Sequence, residues 1–299
     1  MKKLTTTLLM LLPIAHLYSQ NLKPYVVGFE TTESVAATAT NVAAQLSQNG
    51  IKVVGQYQPA NDKNLEILVF TSAELQSAIQ RTGGLTGFAA TLRIGITSEN
   101  GKTIVSYTNP PYWGNAYFRG DFERVSSNYV TLTSHLETAL KAAGHFVGRP
   151  FGSDQGIAAN DLRKYHYAVS MPYFQDVVEL GKFDTYANAV AKIDYEAKKG
   201  VPGVKLVSKV PVAGTNLVLY NFALSGAEGE SKFLPVIDIN QPKHTAFLPY
   251  EVLVDNNQAV ILHGRYRIAL SFPDLTMYTF TKIMSTPGNI EDSLRQLVK

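Results

Sequence analysis

Two distant stretches of this chain repeat one pattern of residues, and a repeat of this length restricts the fold to two related units. Residues 50–70 and residues 200–220 both begin with glycine and continue into two short apolar stretches. The offset between Gly50 and Gly200, and between Phe70 and Tyr220, is the same 150 residues. Because similarity at a fixed offset is the signature of repeated structural units, the sequence predicts a tandem duplication.

Each copy interleaves predicted helices with predicted strands. In the first copy, apolar residues at helical spacing end at Gly50, strands follow at 51–57 and 65–71, and Asn100-Gly101 predicts a tight hairpin. In the second copy, a helix at 186–199 precedes Gly200, and a hairpin is predicted within 248–270 around Asn256-Asn257. Hairpins require antiparallel strand pairs, so the predicted fold class is α+β, with antiparallel or mixed sheets and helices on one face. The predicted unit has the order strand-helix-strand-strand-(helix)-hairpin-helix and occurs twice.

The length and the glycine and proline content set the predicted domain limits. A chain of 299 residues is about twice the usual length of one domain, which agrees with the repeat. Glycine, proline and polar residues between Phe146 and Lys164 are typical of a linker. We therefore predict a signal peptide at 1–19, a first α+β domain at 20–145, a linker at 146–164 and a second α+β domain at 165–299.

The first twenty residues have the pattern of a secretory signal peptide. Lys2 and Lys3 precede an apolar run from Leu8 to Ala15, and Ser19 is small enough to precede a cleavage site. The run is too short for a convincing membrane span; the alternative is a buried N-terminal helix. We therefore expect a soluble product exported to the periplasm or the exterior, with no integral membrane segment after cleavage.

The absence of cysteine and the near balance of acidic and basic residues exclude several classes of site and partner. A chain without cysteine has no lipid-modified cysteine, disulfide, thiol nucleophile or thiolate metal site. Loss of Lys2 and Lys3 with the leader leaves 25 basic residues against 24 acidic ones. A chain so close to neutral is not expected to bind nucleic acid or an anionic membrane as its main partner.

One candidate site is a basic face near the end of the chain. If residues 259–270 form a strand, alternation places His263, Arg265 and Arg267 on one face, with Glu251 on the partner strand. Arginine side chains so placed are suited to a carboxylate or phosphate ligand. The alternative is a solvated strand face, or cross-strand ion pairs that contribute little to stability.

A second candidate is the aromatic segment Asn109–Phe118, which contains the single tryptophan of the chain. Its prolines and glycine predict a loop. Tyr112, Trp113 and Tyr117 in such a loop are suited to stack on a sugar or an aromatic ligand. The alternative is a plug, in which these rings fill the joint between the two copies.

The sequence contains no motif for a metal, a cofactor or a known catalytic centre. No two histidines have the spacing of a metal-ligand pair, and the phosphate-loop, dinucleotide and Gly-x-Ser-x-Gly patterns are absent. We therefore expect no metal site and no cofactor. Asp274 is predicted to cap the helix that follows it.

Two sequence segments in the second copy resemble those of a known family. The segments Phe247–Val254 (FLPYEVLV) and His263–Leu270 (HGRYRIAL) are similar to the α/β family catalogued as domain of unknown function 302. A weaker version occurs in the first copy at 89–107, followed by Asn109–Trp113. The resemblance implies a fold and provides no catalytic residues.

From these observations we expect an exported, non-enzymatic protein that binds a small molecule, an anionic ligand or a partner in a groove between its two domains. Related sheets that meet about a pseudo-twofold axis leave a concave seam, and ligand sites favour such seams. The alternatives are a cofactor-free hydrolase or isomerase acting in the seam, and a structural envelope protein.

Overall fold

The computed structural model describes residues 21–299, so the predicted signal peptide, 1–19, lies outside the described residues. The first half contains a six-stranded antiparallel sheet with the strand order β2-β3-β4-β5-β1-β6. Its strands are β1 (Tyr25–Thr31), β2 (Ile51–Tyr57), β3 (Leu65–Ser72), β4 (Leu92–Glu99), β5 (Lys102–Thr108) and β6 (Arg149–Phe151).

Helices cover this sheet, and their ends follow ordinary capping rules. Their bounds are α1 (Val35–Gln48), α2 (Ala73–Thr82), α3 (Pro110–Phe118), α4 (Phe122–Ala143) and α5 (Ala159–Leu162). The Ser34 hydroxyl accepts a hydrogen bond from the Ala37 amide and so begins α1. The apolar residues of α1 and α4 face the sheet and bury a common core.

The second half contains a five-stranded antiparallel sheet with the order β7-β11-β10-β9-β8. Its strands are β7 (Val178–Lys182), β8 (Val204–Val212), β9 (Leu217–Leu224), β10 (Tyr250–Asp255) and β11 (Gln258–Ile261). Its helices are α6 (Tyr186–Lys199), α7 (Glu230–Ile237), α8 (Gly264–Ser271), α9 (Met277–Thr281) and α10 (Thr286–Arg295).

The predicted fold class is confirmed: the molecule is α+β, with two antiparallel sheets and helices. The order β2-β3-β4-β5-β1 in the first sheet matches β8-β9-β10-β11-β7 in the second, read in chain order. A register shift also occurs at corresponding places, between Val53 and Gly55 in β2 and between Leu206 and Ser208 in β8. Descent of the two halves by duplication remains a prediction.

The two halves contact each other through reciprocal turns. The turn Gly84–Ala90, which leads into β4, packs on β9 and β10 of the second sheet. The turn Thr245–Phe247, which leads into β10, packs on β3, β4 and β5 of the first. A Cβ atom on Gly87 would lie 2.6 Å from Leu253 Cδ1, so the halves approach too closely there for a side chain. One continuous core therefore spans the joint.

Two sequence predictions of local structure are wrong. Residues 259–270 are not one strand: β11 ends at Ile261, and α8 begins at Gly264. Six consecutive residues of α8, Tyr266–Ser271, are buried, so this helix has no polar face to reveal its period. The segment Asn109–Phe118 is not a loop, because Pro110 and Pro111 occupy the first turn of α3, where a missing N–H costs nothing.

Other boundaries differ by smaller amounts. Apolar residues at helical spacing predict a helix from about residue 127, and this helix, α4, begins at Phe122. The glycines of segment 225–232 predict a loop, and α7 begins within it at Glu230. The pair Pro287-Gly288 predicts a break between two helices, but Pro287 lies in the first turn of α10. The segment predicted as a linker, 146–164, contains α5 and also β6, which pairs with β1. It therefore packs on the first sheet as an edge strand.

Candidate functional site

A buried ion-pair network joins the two sheets at the centre of the molecule. Glu251 on β10 accepts hydrogen bonds from Arg93 on β4 through one oxygen, and from Arg267 Nε on α8 at 3.3 Å through the other. The three side chains are between 1% and 4% exposed. Two guanidinium groups thus share one carboxylate in a dry environment, where an unpaired charge would be costly.

Arg267 is committed to this network and to nearby backbone. It also donates to the carbonyl oxygens of Phe247 and Pro249, and it lies 4.2 Å from the ring centroid of Tyr250. Burial by itself lowers the pKa of the Arg267 guanidinium, but Glu251 and Tyr250 raise it above its usual value. Arg267 therefore stays charged and has a structural partner.

The predicted basic face is not assembled by the structure. Glu251 and Arg267 contact each other, whereas His263 and Arg265 lie at the surface end of α8. The His263 Nδ1 atom accepts a hydrogen bond from the Arg265 amide, so His263 caps this helix. Burial, and then the positive charge of Arg265, lower the pKa of His263.

The aromatic residues of α3 lie in the joint between the halves. Trp113 Nε1 donates to the Pro24 carbonyl at 2.8 Å, and the Tyr112 hydroxyl donates to the Leu270 carbonyl at 2.8 Å. The Tyr117 ring stacks on Phe174 with centroids 5.5 Å apart. Burial raises the pKa of both tyrosines well above its usual range. Tyr112, Trp113 and Tyr117 are 0%, 3% and 2% exposed, which favours the plug over the ligand lid.

A cleft of about 680 Å³ opens where the edge of the first sheet meets the second half. One wall is formed by residues 149–154, which include β6, and another by residues 237–244 after α7. Residues 272–279 complete the lining, together with Lys23, which precedes β1. The cleft therefore lies between the two halves.

His244 is the most unusual residue of this cleft. It is 7% exposed, and its ring stacks on Phe272 with centroids 4.8 Å apart, with the rings of Tyr25 at 5.1 Å and Phe151 at 5.7 Å. Burial lowers the pKa of His244 to about 4, against smaller opposing effects of the Ser271 backbone and of the charge of Asp274, so the imidazole is neutral near pH 7. The Nδ1 atom itself is buried and has no hydrogen-bond partner of good geometry among the described residues.

Asp274 holds the walls of the cleft together. Its Oδ1 atom accepts from the Ser153 hydroxyl at 3.1 Å, and its Oδ2 atom accepts from the Asp154 amide at 2.6 Å. The prediction that Asp274 caps the next helix is wrong, because the Thr276 hydroxyl accepts from the Thr279 amide and begins α9. Asp274 instead fixes the loop after β6 against the second half.

The cleft is lined by two cationic and two acidic residues. Lys23, Arg149 and Asp154 belong to the part of the lining formed by the first half. The Arg149 side chain is 52% exposed, and its only ion pair among the described residues is a long one, 3.8 Å from Glu30. Asp274 on the opposite wall is already satisfied by its two donors. The lining near β6 therefore carries charges of both signs, and the Arg149 guanidinium is only weakly paired.

Two buried carboxylates anchor the wall at 237–244. Asp238 accepts from the His244 amide at 2.6 Å and from the Thr245 hydroxyl at 2.9 Å, and burial raises its pKa to about 6. Glu230, at the start of α7, accepts from Tyr57, Ala60 and Leu224 at 2.9–3.1 Å. Burial raises the pKa of Glu230 to about 7.

These shifts predict a pH dependence that Glu230→Gln should remove. Because the folded pKa of Glu230 lies above the ordinary 4.5, the folded state holds a proton that the unfolded chain releases between pH 4.5 and about 7. The stabilisation conferred by this protonation is present below pH 4.5 and is lost as the pH rises to about 7. We expect the free energy of unfolding of the wild type to fall by about 3 kcal/mol relative to Glu230→Gln over this interval, as urea titrations at each pH would measure. The exposed Glu228→Gln is the control, and equal pH profiles of Glu230→Gln and wild type would contradict the assignment.

His244 is poorly suited to accept a proton near pH 7. A histidine whose pKa lies near 4 is a weak base, and its ring packs against the rings of Phe272 and Phe151. Within residues 21–299 there is no group of three or more metal-ligating side chains. In the same residues, no helix combines the length and apolar character needed to cross a bilayer.

Comparisons with known proteins give a limited result. No family model matches this chain, and no curated protein matches it. One similar solved structure is the uncharacterized conserved protein DUF302 from Bacillus stearothermophilus, with 14% identity and a TM-score of 0.35. The match covers 40% of this chain and 98% of that one.

Sequence reasoning missed the residues that form the cleft. His244 was considered only as a metal ligand, and Arg149 and Phe151 lie in the segment predicted as a linker. The aromatic residues Phe146 and Phe151 do indicate that this segment packs on something, which is unusual for a solvated linker, but they do not indicate on what. No local pattern connects Phe151 to His244, because β6 joins the sheet through long-range pairing with β1.

Proposed function

We propose that the protein is an exported small-molecule-binding protein whose ligand occupies the cleft between the halves. The observation that carries this proposal is His244, a buried neutral imidazole with an unpartnered Nδ1 atom, which lines a cleft of about 680 Å³. Ligand sites are typically concave, largely pre-formed and equipped with a few polar groups of this kind.

The lining also indicates the chemistry of the ligand. Asn240, Gln241 and Thr279 offer neutral hydrogen-bonding groups, while Lys23 and Arg149 offer positive charge. A polar molecule that bears a carboxylate or phosphate matches this set, with its acidic group near Arg149 and a hydrogen-bonding group near His244. A hydrolase or isomerase would need converging acid and base groups, which the neutral His244 does not provide.

The experiment is a thermal-shift screen of the protein against small organic acids, phosphorylated metabolites and sugars. A compound that binds the native state raises the melting temperature by mass action. Each hit is titrated by calorimetry against wild type, Arg149→Gln and the control Arg124→Gln, which removes an exposed arginine of α4. We expect Arg149→Gln to weaken binding about tenfold, because one charge-assisted contact is lost, and Arg124→Gln to have no effect.

His244→Phe completes the test of the cleft. Phenylalanine keeps the stacking on Phe272 but removes the hydrogen-bonding nitrogens. We expect this variant to fold and to bind the hits more weakly. If every hit binds equally to wild type, Arg149→Gln and His244→Phe, the ligand does not occupy this cleft.

Export rests on Lys2, Lys3 and the apolar run that follows, which lie outside the described residues. Mass spectrometry of the native protein should place the N-terminus at or near Gln20. An intact Met1 on a cytosolic protein would refute this part of the proposal.

A further inference from the structure

A second, apolar slot lies beside α8, on the other side of Phe272 and Leu275, which line both the slot and the polar cleft. Its lining includes Met171, Ile268, Phe272, Met277 and Phe280, and Arg265 is the only charged residue among the lining residues. The slot is small, about 30 Å³, which is room for roughly two carbon-sized groups. Met277 is 61% exposed and borders it, so an apolar molecule could continue outward along this side chain.

Arg265 has a free guanidinium at the edge of this slot. It is exposed and forms no ion pair within residues 21–299, whereas Arg267, two residues later, is paired with Glu251. The acids that line the neighbouring surface cavities have other partners: Asp176 accepts from the Tyr173 amide, and Glu291 pairs with Arg295. Arg265 lines both of those cavities as well as the slot.

We propose that this slot binds a carboxylate that carries a hydrocarbon chain. The guanidinium of Arg265 takes the carboxylate through paired N–H···O bonds, and the chain lies against the apolar lining. Neither part suffices alone: an exposed ion pair contributes little, and so small a slot removes little apolar surface from water. Methionine side chains adapt their shape, so Met171 and Met277 can follow the chain as it leaves the slot.

The test uses calorimetry with sodium decanoate below its micelle concentration, against the whole protein. We expect saturable binding to the wild type, at least tenfold weaker binding to Arg265→Gln, and unchanged binding to the exposed control Arg124→Gln. Decanol, which lacks the charge, and acetate, which lacks the chain, should each bind more weakly than decanoate. His244→Phe should leave decanoate binding unchanged, which separates this slot from the cleft.

Several results would overturn the proposal. One is a lack of decanoate binding to the wild type, and another is equal affinity of the wild type and Arg265→Gln for decanoate. A third is equal affinity of the wild type for decanol and decanoate, which would show apolar contact without recognition of the head group. Loss of decanoate binding in His244→Phe would assign the molecule to the cleft instead. Because Arg265 is exposed, its substitution is not expected to prevent folding, and a melting curve of each variant verifies this.

Discussion

Glu251→Gln is expected to lower the free energy of unfolding by about 3 to 5 kcal/mol, because it leaves buried charges without their partner. The substitution leaves the shape nearly unchanged but removes the one carboxylate that neutralises Arg93 and Arg267. Two buried guanidinium groups would then face each other without a counter-charge. Urea unfolding followed by circular dichroism measures the loss.

The matched control is Glu228→Gln. Because Glu228 is exposed, this substitution should lower the free energy of unfolding by less than about 0.5 kcal/mol. The double variant Arg93→Met/Glu251→Gln removes one positive charge together with the negative one, so we expect it to recover part of the stability. A loss below about 1 kcal/mol in Glu251→Gln, or no coupling with Arg93, would show that the network does not stabilise the joint.

Trp113→Ala should cost about 3 to 5 kcal/mol, since it leaves a large cavity in the joint between the halves. The indole is 3% exposed, contacts Tyr25, Tyr112 and Tyr117, and donates to the Pro24 carbonyl. Trp113→Phe keeps part of the ring and loses only the N–H donor and some volume, so its cost should be smaller. Urea melts of the two variants give both values.

The same variants decide whether these rings serve a ligand. If Trp113→Ala unfolds at nearly the wild-type urea concentration but loses the binding of a screening hit, the aromatic residues form a ligand surface and the plug is wrong. If the stability falls as expected and Trp113→Phe binds hits normally, the rings stabilise the joint.

The parts of the fold that sequence predicted well are those specified by local chemistry. Gly200 ends α6, and Asn100-Gly101 forms the hairpin between β4 and β5 with both residues at positive φ. In each case a residue type and its neighbours determine the backbone conformation. These elements needed no knowledge of what packs against them.

The parts that failed depend on burial from several sides. Helix α8 is buried by its neighbours, so the sequence HGRYRIAL shows no polar face, and its apolar residues happen to alternate as in a strand. Arg267 and Glu251 were recognised as possible partners, but their enclosure by Arg93 of the other sheet depends on how the halves meet. The cleft combines residues far apart in the chain, so no local pattern predicts it.

Nuclear magnetic resonance of the histidine side chains reports whether a ligand occupies the cleft beside His244. A hit from the screen is added to protein labelled with ¹⁵N at histidine, with His244→Phe used to assign the signals. We expect the imidazole nitrogens of His244 to shift as the ligand saturates, while those of the exposed His135 do not. Saturable binding of a hit that leaves the His244 signals unchanged would show that the ligand binds elsewhere.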